Sequence, residues 1–130
     1  MSSIKTSFAP MLAISNGTMN VDFYKNAFNA IELRRFSNDD GSIHVSELEI
    51  DGALFRLHEE NPDKGSFIPN RYKGVTTTIC LMVEDVDAVM ATAIAAGAKE
   101  ASPAQDYDYG YRQGDIIDPF GHVWTIEKVI

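Results

Sequence analysis

His44, His58 and Glu127 are the residues of this chain best suited to hold a metal ion or move a proton. Two imidazoles and a carboxylate form a donor set of the kind that binds zinc or non-haem iron. An offset of 69 residues makes His58 and Glu127 equivalent positions in the two halves of the chain. Taken alone, His44 is a candidate catalytic base for a reaction that needs no metal. The competing reading is that His58 and Glu127 are solvated groups near strand ends. His122 follows a turn and is expected on the surface. The single cysteine, Cys80, lies in the apolar run TTICLMV and is expected to be a buried, unreactive thiol.

Other chemistries find no support. Gly110 and Gly114 have neither the spacing nor the following helix of a phosphate or dinucleotide loop, and no nucleophile elbow is present. The carboxylate pairs Glu47/Glu49 and Glu59/Glu60 read as solvated strand edge and loop. A net charge of −8 opposes nucleic-acid binding, which depends on Lys and Arg neutralising phosphates. The same charge favours cationic small molecules. No apolar run approaches the roughly 18 residues needed to cross a bilayer, so no membrane partner is expected. The opening MSSIKTSFAP lacks a secretory apolar core, which points to the cytoplasm.

The elements that must position these residues occur twice. FAPMLAI reads as a strand, Asn16-Gly17-Thr18 as a break and cap, and Val21, Tyr24, Phe28 and Ile31 as one helical face. IELRRFS, SIHVSELEI and ALFRLHE follow as strands separated by NDDG and DG turns. After a linker at 60–74 the order returns. TTTICLMV is a strand, and EDVDAVMATAIAAG is a helix with Asp85 as cap and Gly97 as stop. AKEA leads into an irregular stretch through Asp106. YGYRQGDII and HVWTIEKV then flank the turn DPFG. These 130 residues are read as one domain, module one spanning 4–59 and module two 75–130.

This pattern resembles the vicinal oxygen chelate superfamily, which holds glyoxalase, bleomycin-resistance proteins and extradiol dioxygenases. The resemblance rests on VDFYKNAFNAIELRRF, MVEDVDAVMATAIAAGAKE and YGYRQGDIIDPFGHVWTIEKV, and is nearest to the PhnB-like branch. It implies an α+β fold in which two βαβββ modules form a cup-shaped mixed sheet with helices outside, and a homodimer. It also places Ala9, Arg56, Thr78 and Thr125 at the four positions that bind metal in relatives. Alanine has no donor atom, and a threonine hydroxyl is a weak ligand. Arg56 would repel a cation about 4 Å away by roughly 4 kcal/mol per unit of metal charge at an effective dielectric near 20. No metal or other cofactor is therefore expected, the alternative being a divalent ion at the non-standard set His44, His58 and Glu127.

With those positions facing inward, the ligand-binding cleft is lined by His44, Arg56, His58, Thr78, Tyr111, Gln113, Thr125 and Glu127, together with Met11, Ala13, Cys80 and Met82. Strand alternation places Ser46 on the face of His44, with Ile43 and Val45 on the other. Arg56 needs a partner, either Glu127 or an anionic ligand, and Glu127 is favoured. Leu12, Ile14, Phe55, Ile79, Leu81, Val83, Trp124 and Ile126 should face helices 18–30 and 86–96. The expected function is small-molecule binding, as in antibiotic or metabolite sequestration. The alternative is a lyase, isomerase or dioxygenase using the non-standard metal set or His44 as base.

Overall fold

Alternation along ALFRLHE buries Phe55 and Leu57 and leaves Arg56 exposed, and the fold is organised around that division. The computed structural model describes residues 3–130. Module one runs β1 (Met11–Ile14), α1 (Asp22–Phe28), β2 (Ile31–Ser37), β3 (Ile43–Ile50) and β4 (Ala53–Glu59). Module two runs β5 (Thr78–Met82), α2 (Val86–Ala95), β6 (Lys99–Tyr107), β7 (Tyr111–Ile117) and β8 (Val123–Val129). The α+β architecture of two βαβββ modules is the expected one.

Each module forms its own four-stranded mixed sheet, ordered β1-β4-β3-β2 and β5-β8-β7-β6. The first and last strand of each module pair in parallel, and the other neighbours are antiparallel. Among the described residues no strand ladder joins the sheets. The modules meet through their helices and a shared core instead. Trp124 of β8 is 1% exposed and packs against Phe28 and Phe55 at ring-centroid distances of 4.8 and 5.7 Å. Leu12, Ile14, Leu57 and Ile126 are buried in the same core, and Ile79, Leu81 and Val83 pack against it. The expected register is therefore the observed one. A one-residue slip would have turned every one of these side chains outward.

Gly114 of β7 has a packing role. A Cβ there would lie 2.1 Å from the sulfur of Met90 and 3.0 Å from Ala104 N, so a larger residue would have to displace the Met90 side chain of α2.

Three local expectations change. Helix α1 starts at Asp22, several residues after Thr18, whose hydroxyl instead donates to Ser15 O at 2.6 Å and closes a turn. Strand β1 begins at Met11 because Pro10 has no N–H to enter a ladder. The stretch expected to be irregular is the nine-residue strand β6, whose register shifts around Ser102 absorb Pro103 at a sheet edge. Asp85 does cap α2, accepting from Ala88 N at 3.0 Å, and Asn29 ends α1 in the left-handed region at φ 55°.

Candidate functional site

His44 reaches the open face of the first sheet through a bulge. Phe36 pairs with Val45 and Ser37 with Ile43, so His44 is an extra residue with no partner on β2. The bulge lets Ile43 and Ser46 both stay buried while His44 turns to the side of His58. The expectation that Ser46 shares the face of His44 is thus corrected. Ser46 is fully buried and donates to Glu32 at 2.6 Å.

The two imidazoles lie edge to face with ring centroids 4.9 Å apart. His44 Nδ1 donates to Glu59 Oε1 at 2.8 Å, and Asn38 Nδ2 donates to Glu59 Oε2 at 3.0 Å. The His44 hydrogen bond holds the Glu59 carboxyl below its ordinary range, opposed by partial burial and helped by Asn38. His58 Nδ1 donates to the carbonyl of Glu59 at 2.6 Å, leaving its Nε2 as the acceptor nitrogen. Both rings line a groove of about 960 Å³ with Met11 and Ala13 of β1, Phe67 of the linker and Thr77 before β5.

The linker lies along this groove and is anchored at both ends. Glu60 is buried and accepts from Arg71 Nε and Nη2 at 3.1 and 2.9 Å and from Ile68 N at 3.2 Å. Asn70 Nδ2 donates to Pro119 O at 3.1 Å in the closing turn of module two. His122 is half-buried there, not on the surface as expected. Its Nε2 donates to Ala13 O at 2.7 Å and ties that turn to β1.

Arg56 is on the open face, but its partner is Glu47. Nε donates to Glu47 Oε2 at 2.9 Å, directly across the β3–β4 ladder. The expected pair with Glu127 is not made within the chain, because Glu127 belongs to the other sheet.

That second sheet carries the rest of the expected lining. Thr78 and Cys80 of β5, Tyr111 and Gln113 of β7, and Thr125 and Glu127 of β8 share its open face by register. Gln113 Nε2 donates to Glu127 Oε1 at 2.7 Å, Thr125 Oγ1 donates to Asp115 Oδ1 at 2.6 Å, and the Tyr109 hydroxyl donates to Gln113. Cys80 is exposed, against expectation, because β5 is an edge strand and even-numbered positions face outward. Partial desolvation first, then Glu127 and Asp115, push its thiol upward.

The expected cleft is therefore divided between two sheets. His44, Arg56 and His58 lie on one, and Thr78, Tyr111, Gln113, Thr125 and Glu127 on the other. The set His44, His58 and Glu127 is not assembled within the chain. Ala9, Arg56, Thr78 and Thr125 do not fit a divalent ion, since the strongest group among them is a guanidinium and the Thr125 hydroxyl is already directed at Asp115. Sequence reading missed Glu59, Asn38, Tyr109 and Asp115. Only the first had a signal, the carboxylate pair with Glu60, and it was read as solvated.

The profile of the Glyoxalase/Bleomycin resistance protein/Dioxygenase superfamily matches residues 9–126. The uncharacterized protein Rv0887c of Mycobacterium tuberculosis is 34% identical over 130 residues, covering 98% of this chain and 76% of that protein. The solved structure of the Arabidopsis thaliana gene product At5g48480 superposes with a TM-score of 0.71 at 29% identity, covering 95% of this chain and 98% of that one. TioX from Micromonospora sp. ML1 superposes with a TM-score of 0.71 at 23% identity, covering 96% and 97%.

Proposed function

Because the chain belongs to the Glyoxalase/Bleomycin resistance protein/Dioxygenase superfamily, we propose that it is a metal-free small-molecule-binding protein of the PhnB-like branch, sequestering an antibiotic or metabolite in the cytoplasm. The observation that carries this reading is the groove over β1, β3 and β4. An apolar floor of Met11 and Ala13, an aromatic wall at Phe67 and two converging imidazoles are the composition of a ligand pocket. The chain works as a homodimer. Open sheet faces bearing Leu54, Met82 and Val129 are apolar surface that a second copy can cover.

The test is a thermal-shift screen of metal-free bleomycin and aromatic metabolites, with the histidine ring protons followed by NMR. A ligand that binds only the folded state stabilises it by about 2.7 kcal/mol at one hundred times Kd. The expected hit moves the His44 and His58 resonances, loses its effect in His58→Leu, and is recovered unchanged. Elemental analysis should find zinc, iron, nickel and manganese far below stoichiometric. A stoichiometric metal lost on mutating His58 would overturn the metal-free reading.

A second reading, a metal-free isomerase or lyase, is favoured by one observation. The His44–Glu59 hydrogen bond orients an imidazole whose Nε2 makes no hydrogen bond among the described residues and can take a proton. Consumption of a bound ligand by the native chain but not by His44→Gln decides for it.

A further inference from the structure

Asn16 and Gly17 form the exposed turn between β1 and α1. Gly17 has a φ of +88°, Asn16 has a negative one, and Thr18 N donates to Ser15 O at 3.2 Å. That is the pattern of a type II turn, with Asn at its second position and Gly at its third. The turn is held by its outer residues. Thr18 also donates through its hydroxyl to Ser15 O at 2.6 Å, and Thr18 O accepts from Ile43 N at 2.8 Å. Between them, neither the Asn16 carboxamide nor the Gly17 N–H has a hydrogen-bond partner among the described residues. A Cβ on Gly17 would meet nothing within 4 Å, and glycine itself has none, so this nitrogen is open to close approach.

Of the seven asparagines only Asn16 precedes a glycine, and each of the others is obstructed. Asn20 precedes Val21, which is β-branched and 2% exposed, and Asn26 lies inside α1. Ala30 N, after Asn29, donates to Tyr24 O at 3.2 Å. The Asn38 amide donates to Ser42 and Glu59, each at 3.0 Å. Asn61 precedes Pro62, whose nitrogen carries no proton. The Asn70 amide donates to Pro119 O at 3.1 Å, and Arg71 N donates to Ile68 O at the same distance.

We propose that Asn16 is a self-modification site, where the chain deamidates to isoaspartate with water as the co-reactant. The Gly17 nitrogen gives up its proton to solvent base and attacks Cγ of Asn16. The new N–Cγ bond closes a five-membered succinimide. The Cγ–Nδ2 bond breaks and ammonia leaves, taking a proton back from solvent. Water then opens the ring. Attack at Cγ gives aspartate, and attack at the main-chain carbonyl gives isoaspartate, whose backbone runs through the former side chain. One water is consumed for each ammonia released, and nothing is oxidised or reduced.

Both products add a negative charge to a chain already at −8. The new carboxylate joins Asp39, Asp40, Glu59 and Asp63 around one shallow groove, where like charges repel. Isoaspartate also inserts a carbon into the main chain between Ile14 and Val21, both fixed in the core. Thr18 then cannot keep its bonds to Ser15 and to Ile43 together. The reaction needs no ligand and stands whatever the groove at His44 and His58 binds.

Ageing the full native chain at mildly alkaline pH tests it, with tryptic digestion and fragmentation of peptide 6–25. Asn16 should change from amide to acid on the order of tenfold faster than Asn20 in the same peptide, as an unhindered glycine nitrogen requires. The product should be methylated by an isoaspartyl carboxyl methyltransferase. Gly17→Ala should slow the change, and Asn16→Gln, whose carboxamide sits one carbon farther out, should abolish it. The aged chain should melt below the Asn16→Asp variant, which has the charge without the longer backbone. An unmodified Asn16, faster conversion at Asn20 or Asn38, undiminished methylation in Asn16→Gln, or reaction only after unfolding in urea each overturn the proposal. An isoaspartyl chain that melts with Asn16→Asp overturns the effect assigned to the turn.

Discussion

The hydroxyl of Tyr24 on α1 donates a 2.7 Å hydrogen bond to Oδ2 of Asp118, in the closing turn of the other module. The same carboxylate accepts from Trp124 Nε1 at 3.0 Å and from the backbone N–H groups of Phe120 and His122. Asp118 is 3% exposed and fully hydrogen-bonded, so it fastens helix, turn and core tryptophan together. Tyr24→Phe should cost about 1.5–3 kcal/mol, the range for a hydrogen bond to a charged group. Asp118→Ala should cost more, about 2–6 kcal/mol, because it leaves two buried donors unsatisfied at about 1–3 kcal/mol each. Denaturant unfolding of both singles and the double should show less than additive losses.

Tyr24 also sets an alkaline limit. Burial first, then the charge and hydrogen bond of Asp118, hold its hydroxyl well above the ordinary tyrosine value. The unfolded chain ionises this group at about pH 10, whereas the folded chain keeps the proton. Stability should be complete below about pH 10 and fall as pH rises beyond it. Tyr24→Phe should flatten that part of the profile.

Arg56 and Glu47 should couple, and Arg56 and Glu127 should not. The Arg56–Glu47 pair is partly exposed, so a double-mutant cycle should find about 0.2–1 kcal/mol. Arg56→Leu combined with Glu127→Leu should be additive in the monomer. A clear coupling there would place the two residues together in a dimer.

The acid limb of stability should report Glu59. Its folded carboxyl titrates below the ordinary glutamate value, chiefly because His44 donates to it. The unfolded chain therefore takes up this proton first as pH falls. The contribution is present above about pH 4 and is lost as pH falls through the lower, folded value. Carbon-detected NMR should follow that carboxyl directly, and His44→Ala should move its midpoint upward.

Cys80 should alkylate slowly for an exposed thiol. Its raised titration point leaves little thiolate at neutral pH. The pH–rate profile with iodoacetamide should lie above that of a free thiol, and Glu127→Gln should shift it down by removing one of the two nearby charges.

Periodicity alone determined much of this protein. Period-two alternation in β4 and β8 decided that Phe55, Leu57, Trp124 and Ile126 are core, because one sheet face must be dry. The 69-residue repeat determined two like modules, and Asp85 marked the start of α2 by its own hydrogen bond. These signals are local, carried by residues a turn or a strand apart. The site was not local. A bulge, invisible in SIHVSELEI, placed His44 beside His58, since one unpaired residue resets the alternation. Equivalence by repeat suggested that Glu127 meets Arg56 and His58, but repeat positions share an environment without sharing a location. Helix packing and the common core, not sheet joining, unite the modules, so the two open faces belong to separate sheets. That packing left Arg56 to Glu47 and Glu127 without a cation among the described residues, and only the tertiary structure could decide it.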